Sequence, residues 1–168
     1  YGGSCFPKDT RALIDIADKF KTDLSIVKNV IKSNKNRSFA LLNRISKFLK
    51  NKFKNKKICF LGVTFKANTD DMRESSSLKM IPYLSKKGSK IFYFDPTGRK
   101  KEFDKFKNVF CANDIKQALA NADLVIIHTE WNDFKSLNFK SLTKKKNFIV
   151  YDMRNLYSPS KMKKNNIK

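Results

Sequence analysis

KICFLGV, at residues 57–63, decides the fold of this chain, because after one lysine it stays apolar up to Gly62. A short, continuous apolar run predicts a strand that is buried on both faces, as in a parallel sheet covered by helices. Three later runs have the same character: KIFYFDP at 90–96, DLVIIHT at 123–129 and NFIVYDM at 147–153. The sequence therefore predicts four parallel strands.

Helical patterns separate these strands. RESSSLKMIPYLSKKG, at 73–88, begins with serines that can cap a helix and ends at Gly88, and Pro82 is expected to kink the helix or to mark its first turn. DIKQALANA at 114–122 predicts a short helix, and FKSLNFKSLTKK at 134–145 is helical or irregular. Strands that alternate with helices predict an α/β fold, a Rossmann-like domain with a parallel sheet covered on both faces.

The start of the chain has a different pattern. The first nine residues include two glycines and one proline and are expected to form a loop. DTRALIDIADKF, at 9–20, has apolar residues at helical spacing, and Asp9 or Thr10 can cap that helix.

Residues 22–51 continue with apolar positions at a helical period, which predicts one or two amphipathic helices, with a break near 33–36 if there are two. The charged run KNKFKNKK, at 50–57, then separates this region from the first strand. We therefore predict two units: a loop and helical segment at 1–54, and the Rossmann-like domain at 55–168.

The charge of the chain invites a nucleic-acid interpretation, since its formal value is +22 from 37 basic and 15 acidic residues. However, 31 of the basic residues are lysines scattered through every segment, whereas a nucleic-acid module more often concentrates arginine and aromatic residues on one face. We expect no specific nucleic-acid partner. The alternative, a basic nucleic-acid binder, predicts binding that ignores base identity and collapses with salt. No apolar run is long enough to span a membrane, so no membrane partner is expected.

The cysteines, Cys5, Cys59 and Cys111, are odd in number and widely spaced. They fit neither a disulfide framework nor a zinc site, so we expect no metal and a reduced, cytoplasmic setting. The single histidine, His128, lies at the end of an apolar run, where a structural role is expected rather than a catalytic one.

Polar side chains gather where the predicted strands end, which is where parallel α/β sheets bind ligands. They are Lys66, Arg73, Glu130, Trp131, Asp152 and Arg154. Gly62 stands alone, without the G-x-G-x-x-G pattern that cradles a dinucleotide. An aromatic residue, a lysine and a downstream helix N-terminus suit a single nucleotide, although an ordinary loop would look the same.

Cys5 follows Gly2, Gly3 and Ser4 and comes just before a predicted helix. A lone cysteine is often a small buried hydrophobe. Here, a permissive loop, a helix N-terminus and nearby Lys8 favour a thiolate that can attack a carbonyl carbon.

Together these segments resemble the UDP-glucose 6-dehydrogenase family of nucleotide-sugar dehydrogenases. YGGSCFPKD at 1–9 is similar to its catalytic-cysteine loop, and GVTFKANTDDMRESSS at 62–77 to its Phe-Lys and Arg-Glu-Ser segment. TEWNDF at 129–134 and DMRNLYSP at 152–159 resemble two later segments, and all four occur in family order. Departures are small: Tyr1 stands where Phe is common, and Met153 where Gly is common.

The resemblance implies a larger enzyme with two Rossmann-like domains joined by a long central helix. It implies that the N-terminal NAD-binding domain is absent here, that the isolated chain is inactive, and that the enzyme forms a homodimer through the central helix region. In this family, NAD-dependent oxidation converts UDP-glucose to UDP-glucuronate in two hydride transfers, through a thiohemiacetal and a thioester on the cysteine.

The resemblance also assigns roles to residues. The implied catalytic residues are Cys5, as the nucleophile, and Asp9, as a carboxylate that orients water or a lysine. The implied substrate contacts are Tyr1, Gly2, Phe65, Lys66 and Arg154. The implied NAD contacts are Cys5, Phe6, Pro7, Lys8 and Arg73. Asp95, at the end of the second strand, is expected to be mainly structural.

Three alternatives stay open. Two are a GDP-mannose dehydrogenase and a UDP-N-acetylmannosamine dehydrogenase, although Phe6 and the intact TEW at 129–131 favour UDP-glucose. The third is a nucleotide-binding module without turnover.

Overall fold

The computed structural model of the chain describes residues 1–143, 145, 149–164 and 167. Its centre is a sheet of five parallel strands in the order β3-β2-β1-β4-β5. The strands are β1 (Lys57–Leu61), β2 (Lys90–Phe94), β3 (Val109–Cys111), β4 (Leu124–Ile127) and β5 (Ile149–Asp152). This parallel order with helical connections confirms the predicted α/β, Rossmann-like fold.

Within the described residues, six α-helices accompany the sheet. They are α1 (Phe6–Lys19), α2 (Ser25–Phe48), α3 (Ser77–Lys86), α4 (Ile115–Leu119), α5 (Phe139–Leu142) and α6 (Pro159–Lys164). Two single 3₁₀ turns lie at Lys101–Phe103 and Asn132–Phe134. Among the described residues, no helix is both long and apolar enough to cross a membrane.

The four predicted strands are present, and the sheet also contains β3, which the sequence pattern does not predict. This strand has only three residues, pairs with β2 alone and is not fully buried. A short edge strand lacks the continuous apolar run that identified the other four, so its pattern resembles that of a loop.

The helix α1 begins earlier than predicted. It starts at Phe6, and Cys5 takes the N-cap position, with its carbonyl accepting the N–H of Asp9 at 2.9 Å. The predicted cap at Asp9 or Thr10 is therefore wrong, and Thr10 Oγ1 instead donates to the carbonyl of Phe6. Pro7 explains the early start, because proline is favoured in the first turn, where its missing N–H is not needed.

Residues 25–48 form one uninterrupted helix, so the optional break near 33–36 is absent. The segment contains neither glycine nor proline, and its polar residues at 33–36 are compatible with an exposed helix. α3 begins at Ser77 rather than near residue 73, and Pro82 lies inside this helix rather than in its first turn.

Two apolar cores lie on opposite faces of the sheet, as the alternation of strand side chains requires. On one face, Ile58 and Phe60 of β1 join α3 and the C-terminal half of α2, which contributes Leu41, Leu42 and Ile45. On the other face, Cys59 and Leu61 join α4 and the region after β4. The end of α2 therefore belongs to the same core as the sheet.

Candidate functional site

The carboxyl ends of β1 and β4 meet in a very close approach at Gly62. Gly62 has a φ of +75°, and a Cβ added there would lie 2.4 Å from the Cβ of Thr129. Only glycine fits this combination of left-handed backbone and contact. The chain can therefore turn directly from β1 across the end of β4.

Asp95, which follows β2, holds the turn after β1. Its buried carboxylate accepts the N–H of Val63 at 2.8 Å and that of Thr64 at 3.3 Å. It also accepts both the N–H and the hydroxyl of Thr97. Because these hydrogen bonds use both carboxylate oxygens, they support the structural role implied for Asp95.

Arg154, which follows β5, bridges the loops that follow β1 and β4. Its Nε donates to the carbonyl of His128 at 2.6 Å, and its Nη2 donates to the carbonyl of Phe65 at 3.3 Å. Glu130 Oε2 lies 3.0 Å from Nε in an ion pair. The Arg154 side chain, which is one-third exposed, is thus fixed at the carboxyl edge of the sheet.

The loop before Cys5 packs on the segment after β1. A Cβ added at Gly3 would lie 2.7 Å from Cε1 of Phe65, and one added at Gly2 would lie 2.9 Å from Cδ2 of the same ring. The N–H of Gly3 donates to the carbonyl of Arg73 at 3.0 Å. The predicted cysteine loop and the Phe-Lys segment, about 60 positions apart in the sequence, are therefore neighbours.

Cys5 is exposed at the N-terminus of α1, with Ser4 Oγ 3.6 Å from its Sγ. Arg73 lies nearby and is held by two hydrogen bonds to the carboxylate of Asp71. These bonds and the charge of Asp71 raise the pKa of Arg73, and the charge of Cys5 contributes in the same direction. By contrast, complete burial raises the pKa of the Cys59 thiol to about 12, and Cys111 is only partly exposed, so Cys5 is the most accessible of the three thiols.

The other predicted site residues lie around this loop. Tyr1 makes an edge contact with Phe6, with ring centroids 4.9 Å apart. Phe6 is exposed and Pro7 is buried. Lys8 and Asp9 have exposed side chains whose charged groups are 3.7 Å apart.

Two residues from the strand ends have different surroundings. Lys66 is exposed, and its ammonium lies 5.9 Å from the centroid of the Phe65 ring. Trp131 is buried in the core on the α4 face. Lys66 is thus available to a ligand, whereas Trp131 supports the fold.

Several contacts that position the cysteine loop have no signal in the sequence. Asn34 on α2 donates through Nδ2 to the carbonyl of Tyr1 at 2.9 Å. Arg11 on α1 pairs with Glu74 at 2.7 Å, joining the cysteine helix to the segment after β1. The carbonyl of Asp71 accepts the N–H of Phe65 and so closes the loop at 65–71. Each residue looks like ordinary surface in sequence, and only tertiary structure brings it to the site.

His128 is buried beneath the site and does not reach its surface. Its Nε2 lies 2.8 Å from Ser76 Oγ, and its Nδ1 lies 3.1 Å from Thr129 Oγ1. Burial, with a contribution from the charge of Arg154, lowers the pKa of His128 from 6.5 to about 3. The imidazole is therefore neutral at physiological pH, as expected for a structural residue.

We expect this histidine to make stability depend on pH. The unfolded chain protonates His128 below a pKa of 6.5, but the folded chain does so only near 3, so stability falls as pH drops through that window. The slope from this one proton is about 1.4 kcal/mol per pH unit. The free energy of unfolding, measured with urea at several pH values between 7 and 4, gives this slope. The His128→Gln variant should be less stable than the wild type at pH 7, but its stability should depend less steeply on pH. Equal slopes for the variant and the wild type would contradict the lowered pKa of His128.

The site lies where Rossmann-like α/β domains bind nucleotides, beyond the carboxyl ends of the strands. Among the described residues, no group of three or more side chains could hold a metal ion. Residues 59–159 match the UDP-binding domain of the UDP-glucose/GDP-mannose dehydrogenase family, and residues 1–36 match the central domain of that family. The chain belongs to the UDP-glucose/GDP-mannose dehydrogenase family.

Individual relatives agree with this assignment. The chain is 36% identical to a UDP-glucose 6-dehydrogenase of Rhizobium meliloti and 38% identical to one of Rickettsia felis, in each case over 98% of its own length. It superimposes on a UDP-glucose dehydrogenase from Pyrobaculum islandicum with a TM-score of 0.79 and 28% identity, over 93% of the chain and 35% of that structure. The chain spans only 38% and 37% of the lengths of the two curated relatives.

Proposed function

We propose that this chain is the part of an NAD-dependent UDP-glucose 6-dehydrogenase that carries the nucleophile and the UDP-sugar site. One observation carries the proposal: the Gly2–Cys5 loop packs directly on the segment that bears Phe65 and Arg73. A nucleotide bound at the strand ends would thereby place its sugar beside a reactive thiol. The names of the relatives support the same activity.

The nucleotide end of the substrate would bind at the edge of the sheet. Arg154 supplies a fixed guanidinium suited to bidentate recognition, and Lys66 supplies an exposed charge for phosphate. Phe65 supplies an aromatic face. Tyr1 and Gly2 would line the sugar pocket between this edge and Cys5.

Cys5 would act on C6 of the sugar. After the alcohol is oxidised to the aldehyde, Sγ bonds to the aldehyde carbon and forms a thiohemiacetal. Loss of a second hydride leaves a thioester, and water releases UDP-glucuronate and regenerates the thiol. Asp9 lies one helical turn after Cys5, where its carboxylate can orient that water.

The residues proposed to contact NAD fit an anionic dinucleotide in charge and exposure. Lys8 and Arg73 are largely exposed, and Phe6 offers an accessible ring near Cys5. NAD, when bound, would supply the hydride acceptor. The turn at Gly62 lacks the glycine-rich loop that binds a dinucleotide pyrophosphate, so this chain would contribute only part of the cofactor site.

Calorimetric titration tests the substrate assignment. The chain and the full-length protein that contains it are each titrated with UDP-glucose, UDP-N-acetylmannosamine and GDP-mannose, and the full-length protein is assayed with NAD. We expect saturable binding of UDP-glucose by the full-length protein and formation of UDP-glucuronate. Preference for another sugar nucleotide would move the protein to that dehydrogenase class, and binding without turnover would make it a nucleotide-binding module.

Replacing the strand-end arginine should selectively weaken substrate binding. In the full-length protein, Arg154→Ala should raise the KM for UDP-glucose about 10- to 100-fold, since hydrogen bonds to a charged group contribute about 1.5–3 kcal/mol. The KM for NAD should change little. Arg99→Ala removes an arginine paired with Asp104 on the loop after β2 and serves as the control. Equal changes in both KM values would remove Arg154 from the nucleotide site.

We also propose a homodimer formed through the helical segment and a reducing, cytoplasmic setting. Large apolar side chains on α1 and α2 are exposed in the single chain, including Ile16, Ile26 and Phe39. All three cysteines are unpaired, as expected in a reducing compartment. Sedimentation of the full-length protein tests the dimer, and an Ile16→Asp/Ile26→Asp variant that remained dimeric would contradict this interface.

A further inference from the structure

A short line of contacts connects the proposed nucleotide site to the proposed nucleophile. Arg154 holds the backbone of Phe65 through its Nη2, at 3.3 Å from the Phe65 carbonyl. The ring of Phe65 faces the backbone of Gly2 and Gly3. Cys5 follows two residues later, at the start of α1. One side chain thus separates the residue expected to bind the nucleotide from the loop that carries the thiol.

The contact between Phe65 and the glycines leaves no room for a side chain. A Cβ at Gly3 would meet three ring atoms of Phe65 within 3.1 Å, and Gly3 also has a φ of +84°. A glycine pair has more backbone freedom than any other dipeptide, so its conformation depends on what packs against it. The flat ring is the surface that packs there.

The segment that carries Phe65 is itself held firmly. The N–H of Phe65 donates to the carbonyl of Asp71 at 3.0 Å, which closes the loop at 65–71. Glu74 has a left-handed backbone and pairs with Arg11 of α1. Because these contacts limit the flexibility of the segment, a shift of Phe65 would move the cysteine loop.

From these contacts, and resting on the proposed function, we propose that Phe65 is a positioning residue that couples occupancy of the nucleotide site to the placement of Cys5. A nucleotide that engages Arg154 and Lys66 shifts the Phe65 backbone, and the ring passes that shift to Gly2 and Gly3. This action goes beyond a direct contact between Phe65 and substrate. It predicts that UDP alone, which has no sugar to cover the thiol, changes the reactivity of Cys5.

The test is the rate of Cys5 alkylation by iodoacetamide in the full-length protein, with and without UDP, followed by mass spectrometry of the Cys5 peptide. UDP should slow alkylation about fivefold or more, a coupling at the lower end of the range for linked sites. In Phe65→Ala this ratio should fall to about one, while calorimetry still detects bound UDP. Phe65→Tyr, which keeps the flat ring, should restore the ratio.

Tyr83→Ala is the matched control, because Tyr83 is an exposed aromatic residue of α3 that packs on Phe53, away from the loop. It should keep the UDP effect. If wild type binds UDP but the alkylation rate does not change, or if Phe65→Ala keeps the full effect, the coupling is overturned and the proposed function stands. If wild type fails to bind UDP and UDP-glucose, both are overturned.

Discussion

Cys5→Ser in the full-length protein is expected to lower formation of UDP-glucuronate by about 10³-fold or more, because loss of a nucleophile removes the covalent route. The hydroxyl of serine is a far weaker nucleophile than a thiolate at neutral pH, and no described histidine can activate it: the single histidine is buried. The variant should therefore stop before the second oxidation is complete. Measurement of NADH and UDP-glucuronate released per substrate consumed tests this.

Cys111→Ser is the matched control for the nucleophile. Cys111 lies on the edge strand β3, where its Sγ is 3.8 Å from the carbonyl of Ala112. Its replacement should leave turnover close to that of the wild type. Normal production of UDP-glucuronate by Cys5→Ser would eliminate the proposed role of Cys5.

Gly62→Ala is expected to destabilise the domain by about 2–5 kcal/mol. A positive φ costs an L-residue roughly 1–2 kcal/mol, and forcing a methyl group into a packed site costs about 1–3 kcal/mol more. The methyl group would meet Thr129, which is buried and hydrogen-bonded through Oγ1 to the carbonyl of Thr64. Neighbouring atoms therefore have little freedom to move away. Urea or thermal unfolding measures the change.

Gly98→Ala separates the two parts of this cost. Gly98 has a φ of +80°, similar to that of Gly62, but an added Cβ meets nothing within 4 Å. Its replacement should lose only the backbone part, roughly 1–2 kcal/mol. If both variants lost the same stability, the close approach between the ends of β1 and β4 would not matter to the fold.

The sequence was most informative where burial imposes a simple pattern. Ile58 to Leu61 of β1 are completely buried, so every position is apolar and the strand stands out. Gly62 was identified as the end of that strand, but not as a point of contact with Thr129. Short edge strands and helix starts are harder to predict from sequence, because three residues of β3 or one turn of α1 carry little periodic signal.

The candidate site was predictable only in part. Cys5, Phe65 and Arg154 were recognised from motifs, and the structure brings their loops into one region. Asn34 and Arg11 could not be recognised, because each contacts the site through a helix whose exposed face is rich in similar polar residues. Such contacts depend on how elements pack, which neither composition nor spacing records.

The packing of α2 also determines where the chain can be divided. The apolar residues at its C-terminal half lie in the same core as β1, and Phe48 makes an edge contact with Tyr151 of β5. A fragment that began at residue 55 would expose the sheet face that Leu41, Leu42 and Ile45 now cover. Such a fragment would be prone to self-association through that face. The shortest soluble piece of this nucleotide-binding unit must therefore carry the second half of the long helix with it.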